Sequence, residues 1–180
     1  EKLDGTSVTA FVRGGEFGLC SRNLWLDESD DSHVLVRAAK ACGLEGKLRA
    51  GREALGFDLA VQAEAVGPGI QKNRYGLPSV ELRVFTVFDV THSERLTPGE
   101  ASAACALMGL AEVPQLGDHP LPGSVDELVA FSQAPSLLGP RPTPREGVVW
   151  RCTKARYSDR LGGYLSFKVI SPAYLLKYDE

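Results

Sequence analysis

The segment 80–90, VELRVFTVFDV, constrains the fold of this chain more than any other stretch. Apolar and polar residues alternate along it almost without interruption, and a period of two residues is typical of a β-strand with one buried face. Further strands are predicted where β-branched and aromatic residues lie near glycine or proline turns, at 7–13, 17–20, 57–66, 147–152 and 165–170. Together these segments predict a chain organised around β-sheet.

Helices are predicted between these strands. The segments 33–42 and 47–55 are each followed by a glycine, which is a common helix stop. Thr97 and Ser124 are helix-capping residues followed three positions later by a glutamate, which predicts two further short helices. Strands at both ends of the chain with helices between them predict an α+β fold with mostly antiparallel sheet. The length of 180 residues suits one domain with a sizeable core.

Composition excludes several classes of site. The four cysteines are widely spaced and form no C-x-x-C pair, which argues against a zinc site or a disulfide scaffold and indicates buried thiols in a reducing compartment. The net charge of −3 and the absence of a long run of like charge give no sign of a nucleic-acid partner. No apolar run is long enough to cross a membrane and no signal peptide is visible, so we expect a cytoplasmic protein without a membrane partner.

Candidate functional residues occur in five short motifs. The chain opens with Lys2-x-Asp4-Gly5, which by itself is found in many exposed turns. The other four motifs follow in the order Glu64 in QAEAVG, Phe88-Asp89, Glu146-Gly147-Val148-Val149, and Lys168 in SFKVI. Taken singly, each has a simpler explanation as a strand-end carboxylate, a core aromatic residue or a solvated lysine. Their order along one chain makes them informative.

That order resembles the covalent nucleotidyltransferase superfamily of DNA ligases, RNA ligases and mRNA capping enzymes. Three segments, EKLDGTS at 1–7, VGPGIQKN at 66–73 and SFKVIS at 166–171, resemble the Deinococcus-type nick-sealing branch of RNA ligases. The resemblance covers nearly the whole chain. It implies a nucleotidyltransferase (ATP-grasp-like ligase) domain over 1–180, in which largely antiparallel sheets flank a nucleotide-binding cleft. Because a catalytic Lys2 on a free terminus would fray, we expect a further N-terminal segment or domain upstream.

The resemblance makes Lys2 the nucleophile that forms a covalent lysyl-AMP. A lysine amine with a pKa near about 10.4 must be desolvated or placed beside a cation to lose its proton, and Lys168 or a divalent metal supplies that cation. Asp4 positions the lysine or a metal-bound water. With Glu64 and Glu146 it forms the implied ligand set for Mg²⁺ or Mn²⁺, because carboxylates and water suit these ions.

The resemblance also implies which residues contact the nucleotide. Phe88 stacks on adenine, Glu1 accepts a hydrogen bond from the adenine amino group, and Arg22 touches ribose or the acceptor phosphate. Lys72 and Arg74 either contact phosphates or are solvated. Ser166 departs from the family, since many RNA ligases have a lysine at this place; the phosphate contacts are then either fewer or made by Lys177 or an arginine. The full implied cofactor-binding set is Glu1, Lys2, Leu3, Gly5, Arg22, Glu64, Phe88, Glu146 and Lys168.

The activity implied is that of an ATP-dependent RNA ligase that seals 5′-phosphate and 3′-hydroxyl ends, at nicks in duplexes with RNA at the break. The expected partners are ATP and that nucleic acid, and the expected state is a monomer. Two alternatives stay open. One is a DNA ligase or a capping enzyme, the latter using GTP in place of ATP. The other is a nucleic-acid-binding module that keeps the fold without catalysis, although an intact Lys2 and both glutamates speak against it.

Overall fold

The computed structural model describes residues 1–140 and 142–178, and a five-stranded antiparallel sheet is its largest element. The strand order in this sheet is β2-β1-β3-β4-β5. The strands span β1 Thr6–Arg13, β2 Glu16–Ser21, β3 Leu59–Val66, β4 Glu81–Asp89 and β5 Glu94–Arg95. The four longer strands lie at the predicted places, and the hairpin of β1 and β2 turns at the two glycines as expected.

Three helices cover one face of this sheet and enclose the main core. They are α1 Val34–Ala41, α2 Leu44–Leu55 and α3 Pro98–Met108. Alternate strand residues such as Val8, Val61 and Val87 are fully buried against helix residues such as Leu48. Burying each such aliphatic side chain stabilises the fold by about 1.5–3 kcal/mol. Helix α2 begins three residues earlier than predicted, because Gly43 adopts a left-handed conformation and joins it directly to α1.

A thinner second layer lies over the other face of the sheet. It is a two-stranded antiparallel ribbon of β6 Gly147–Arg151 and β9 Ser166–Ile170, with a small hairpin of β7 Tyr157–Ser158 and β8 Gly163–Tyr164 between them. Helix α4, Val125–Ser132, packs against the ribbon, where its Phe131 ring lies 5.1 Å from the Trp150 ring. A short helix that the sequence did not predict, α5 Pro172–Tyr178, follows β9. The α+β fold with antiparallel sheets is therefore confirmed.

A bulge between β3 and β4 interrupts the alternation of β4. Val84 pairs with Ala63 and Thr86 pairs with Gln62, so Phe85 is an extra residue with no partner opposite. Beyond the bulge, Phe88 lies on the sheet face that is turned away from the helices. No helix in the described part of the chain is both long and apolar enough to cross a membrane.

Candidate active site around Lys2

Lys2 lies in an extended segment between the sheet and the ribbon. Its backbone N–H donates to Gly147 O at 2.9 Å, and the neighbouring Leu3 is buried in a small apolar cluster that includes Tyr75. The Lys2 side chain is 24% exposed, and its ammonium forms an ion pair with Glu146 Oε1. The lysine is therefore held inside a cleft and does not point into open solvent.

Glu64, on β3, faces the same lysine from the sheet. Burial raises the pKa of this carboxyl to about 7; the Lys2 cation opposes the shift, while the nearby Glu146 and Asp4 charges add to it. Gly5 permits this close approach, because a Cβ at Gly5 would lie 2.3 Å from Ala65 O and 2.8 Å from Glu64 Cγ. The glycine of the Lys-x-Asp-Gly motif thus has a steric role.

The Asp4 carboxylate is held by Tyr174 and Arg74. Its Oδ2 accepts a hydrogen bond from the Tyr174 hydroxyl at 2.6 Å and lies 3.4 Å from Arg74 Nε. Arg74 also donates to the Tyr174 hydroxyl at 2.6 Å and stacks over the Tyr178 ring at 4.0 Å. Burial, followed by the Asp4 hydrogen bond, raises the pKa of Tyr174 well above its usual range. Helix α5 therefore anchors the motif acid.

The position of Asp4 corrects the expected metal-ligand set. Within residues 1–140 and 142–178, no group of three or more histidine, cysteine, aspartate or glutamate side chains is arranged to hold a metal. The charge of Asp4 is compensated by Arg74, while Glu146 is paired with Lys2. Glu64 and Glu146 still fit a magnesium or manganese ion bound mainly by water and phosphate oxygens, because such ions usually take only one or two protein carboxylates.

The cleft around Lys2 has a volume of about 230 Å³. Its lining consists of Glu1, Lys2, Leu3, Glu64, Phe85, Val113, Gln115, Val149 and Arg151. Phe85 lines it from the sheet and Val149 from the ribbon. Phe88 lines a neighbouring groove and not this cleft, so the aromatic residue that the structure places beside Lys2 is Phe85 and not the predicted Phe88. The bulge in β4 is the physical reason, because it changes which aromatic residue faces Lys2.

Glu1 is part of the inner wall of the cleft. Its carboxylate is fully buried, accepts a hydrogen bond from Leu137 N at 2.9 Å and contacts the Ser136 hydroxyl. Arg145 Nε lies 3.8 Å from the same carboxylate. These contacts hold the segment around Leu137 against the cleft, in addition to any role toward a ligand.

The remaining predicted cations differ in their placement. Lys168 is exposed and pairs with Val149 across the ribbon, and residues opposite each other in an antiparallel pair share a face, so Lys168 lies on the cleft side. Arg22 is exposed just beyond β2, at the sheet edge and outside the cleft lining. Lys72 is exposed, whereas the Arg74 side chain is only 8% exposed beneath Tyr174, so Arg74 has a structural role.

The sequence analysis did not predict five of the residues that line the cleft: Phe85, Val113, Gln115, Val149 and Arg151. Arg151 could have been found, because it follows Gly147 and Val149 at the strand period of two. The Tyr174 contact to Asp4 left no signal in the sequence, since 170 positions separate the two residues.

Comparison with known proteins agrees with this geometry. The model of the RNA ligase family matches residues 1–170. Naegleria gruberi RNA ligase with pyrophosphate is 30% identical with a TM-score of 0.83, over 99% of this chain and 50% of that chain. A lysine-to-alanine mutant of that ligase with ATP and Mn is 29% identical with a TM-score of 0.84 over the same shares. This chain thus spans about half the length of these relatives, and no curated protein matches it. The chain belongs to the RNA ligase family.

Proposed function

We propose that this chain is the adenylylating part of an ATP-dependent RNA ligase and that Lys2 carries the AMP. The observation that supports this most directly is the Lys2 ammonium, held between Glu64 and Glu146 at the wall of a cleft large enough for much of a nucleotide. The Naegleria gruberi relatives were solved with pyrophosphate, with ATP and Mn, and with AMP and Mn, the small molecules that this first step consumes or produces.

Adenine fits between Phe85 and Val149. The two side chains line the cleft from its two layers, and a flat aromatic face paired with a branched aliphatic one suits a purine ring. Stacking on an aromatic ring is worth about 1–3 kcal/mol per base. A base held there leaves the phosphates on the side of Lys2 and Lys168, whose ammonium groups then contact them.

In the first step, the Lys2 amine bonds to the α-phosphorus of ATP. The ammonium first gives up one proton to a flanking carboxylate, Glu146 in direct contact or Glu64 with a pKa near 7, and the nitrogen loses a second proton only after it has bonded to phosphorus. The nitrogen lone pair then forms the N–P bond while the P–O bond to pyrophosphate breaks. A magnesium or manganese ion at Glu64 and Glu146 would neutralise charge on the phosphates when bound. Holding amine and phosphorus in line supplies much of the rate, as in other phosphoryl transfers.

In the later steps AMP passes to a 5′-phosphate, and a 3′-hydroxyl then attacks that activated end and releases AMP. We propose nicked duplexes with RNA at the break as the substrate, in the manner of the Deinococcus-type branch. The support is the resemblance of segments 1–7, 66–73 and 166–171 to that branch. RNA repair inside the cell is the matching role.

The test is covalent labelling. The chain is mixed with labelled ATP and Mg²⁺ or Mn²⁺ and then denatured, and label that stays on the protein reports lysyl-AMP. We expect Lys2→Ala to reduce labelling to background and Lys40→Ala to leave it unchanged, because Lys40 is an exposed helix residue paired with Asp31.

Labelling that persists in Lys2→Ala would contradict the assignment of the nucleophile. Labelling by GTP in preference to ATP would favour the capping alternative, and a wild-type chain that takes no label from either nucleotide would favour the non-catalytic alternative.

A further inference from the structure

A second groove lies beside the Lys2 cleft on the same face of the sheet. It has a volume of about 380 Å³ and opens to solvent. The lining consists of Thr9, Ala60, Gln62, Thr86, Phe88, Arg95, Tyr164 and Ser166. These residues offer hydroxyls, one amide, two aromatic rings and one guanidinium, and none of them is acidic. This set of groups suits a sugar-phosphate unit with a base attached.

The groove continues from the Lys2 cleft. Gln62 lies two residues before Glu64 on β3, about 7 Å along the strand and on the same face. Ser166 on the ribbon pairs with Arg151, which lines the Lys2 cleft. A strand end held at Lys2 therefore has a direct path into the groove.

Two arginines near this groove, Arg95 and Arg151, have no acidic partner among the residues that the structure describes. Arg95 and Arg151 are half-buried and line one small cavity together, yet neither forms an ion pair with a carboxylate in the described part of the chain. Arg95 donates to Thr86 Oγ1 at 3.3 Å and packs over the Tyr164 ring at 5.4 Å, while Arg151 donates to Phe85 O.

The two charges repel each other. Burial lowers the pKa of Arg95, and burial followed by the charge of Arg95 lowers the pKa of Arg151 to about 10. By contrast, Arg52 and Arg83 elsewhere in the chain pair with carboxylates. Like charges kept together at reduced hydration destabilise the fold unless an anion joins them. The pair is thus best explained by a ligand that brings negative charge.

We propose that this groove binds a nucleotide of the strand to be sealed, with its phosphate at Arg95 and its base against Phe88. The inference rests on the proposed function, because ATP occupies the neighbouring cleft and the groove then serves the polynucleotide. Phe88, which the adenine cannot reach in the Lys2 cleft, has a stacking role on this second ligand. The hydroxyl and amide groups of Thr9 and Gln62 face the sugar.

The experiment measures binding of a fluorescent nicked duplex, with ribonucleotides at the break, to Arg95→Gln across a series of salt concentrations. One lost phosphate contact should weaken affinity about fivefold and reduce the slope of log affinity against log salt by about 1. Arg49→Gln is the matched control, because it removes the same charge from α2 on the far face of the sheet. We expect it to change affinity by less than about twofold.

Lysyl-AMP formation and thermal unfolding are measured on the same samples. Arg95→Gln should keep its melting temperature or raise it, since it removes a half-buried cation that has no carboxylate partner among the described residues, whereas a purely structural arginine would lower it. Unchanged affinity and salt slope in Arg95→Gln would overturn the proposal while leaving lysyl-AMP formation, and so the proposed function, intact. Failure of the wild-type chain to form lysyl-AMP would instead count against the proposed function.

A second variant decides the matter if Arg95→Gln does not fold. Gln62 is exposed on β3, so Gln62→Lys adds a cation to the groove without disturbing the core. We expect this variant to bind the nicked duplex several-fold more tightly, with a steeper salt dependence. Equal or weaker binding by Gln62→Lys would overturn the proposal.

Discussion

The two walls of the Lys2 cleft are built in different ways. The sheet wall carries Glu64 and Phe85 on a five-stranded sheet whose other face is packed with three helices, so residues such as Val61 and Val87 are completely buried behind it. The ribbon wall has only two strands, and large side chains on it are exposed, 39% for Val149 and 41% for Phe167.

The difference shows where the rigid part of the site lies. The core fixes Glu64 before any ligand arrives, at the expense of desolvating its carboxyl. Glu146 and Lys168 depend instead on contacts at the end of the ribbon. There Lys2 N donates to Gly147 O and Ser171 N donates to Glu146 O, at 2.9 and 2.8 Å. The sheet wall is therefore the rigid part of the site. The ribbon wall is held in place mainly by a few backbone hydrogen bonds.

The largest effect is expected where the Lys2 segment meets the sheet wall. Gly5→Ala places a methyl group 2.3 Å from Ala65 O, so we expect a loss of about 3 kcal/mol in the free energy of unfolding and a large loss of lysyl-AMP formation. Urea unfolding measures the change in the free energy of unfolding, and covalent labelling measures lysyl-AMP formation. Gly46→Ala is the control: an added Cβ there meets nothing within 4 Å, and the helix gains about 0.5 kcal/mol. Equal midpoints for Gly5→Ala and wild type would contradict this account.

A smaller effect is expected at Glu64. Its pKa is raised from 4.5 to about 7, so the folded chain binds more protons than the unfolded chain between those values, and stability falls as pH rises through that window. Glu64→Gln removes this loss, so we expect the variant to be more stable than wild type at pH 8, by on the order of 2 kcal/mol, and equally stable at pH 4. Unfolding without ATP or metal at both pH values measures this. A stability gain that did not change with pH would show that desolvation of the charged carboxylate is not the cause.

The smallest effect is expected on the ribbon side, at Tyr174. Tyr174→Phe removes the hydroxyl between Asp4 and Arg74 and should lower the free energy of unfolding by about 1 kcal/mol. Because Tyr174 is not among the residues that line the cleft, kcat for lysine adenylylation should fall a few-fold while KM for ATP stays the same. Tyr157→Phe, at an exposed position, is the control. A rise in KM without a change in kcat would mean that the ribbon side contributes to ATP binding.

Most of the fold could be predicted from local patterns. Alternation located β4, the glycines located the ends of α1 and α2, and the capping box of Thr97 and Glu100 located α3. The short strands β5, β7 and β8 and the helix α5 could not be predicted, because segments of two or seven residues without a clear pattern carry too little periodicity. Their conformation depends on what they pack against.

For the candidate site, too, local sequence patterns predicted some features and only the tertiary structure revealed the others. The sequence by itself determined which residue types are present for the chemistry: Lys2, Glu64, Glu146 and Lys168 lie in order, and the first three meet in one cleft with Lys168 on its ribbon side. Only the tertiary structure decided that Phe85 lies beside Lys2 in place of Phe88 and that the Tyr174 hydroxyl binds the Asp4 carboxylate. The physical reason is that composition and spacing act within one strand or turn, whereas a bulge or a contact across 170 positions exists only once the strands have paired and the layers have packed.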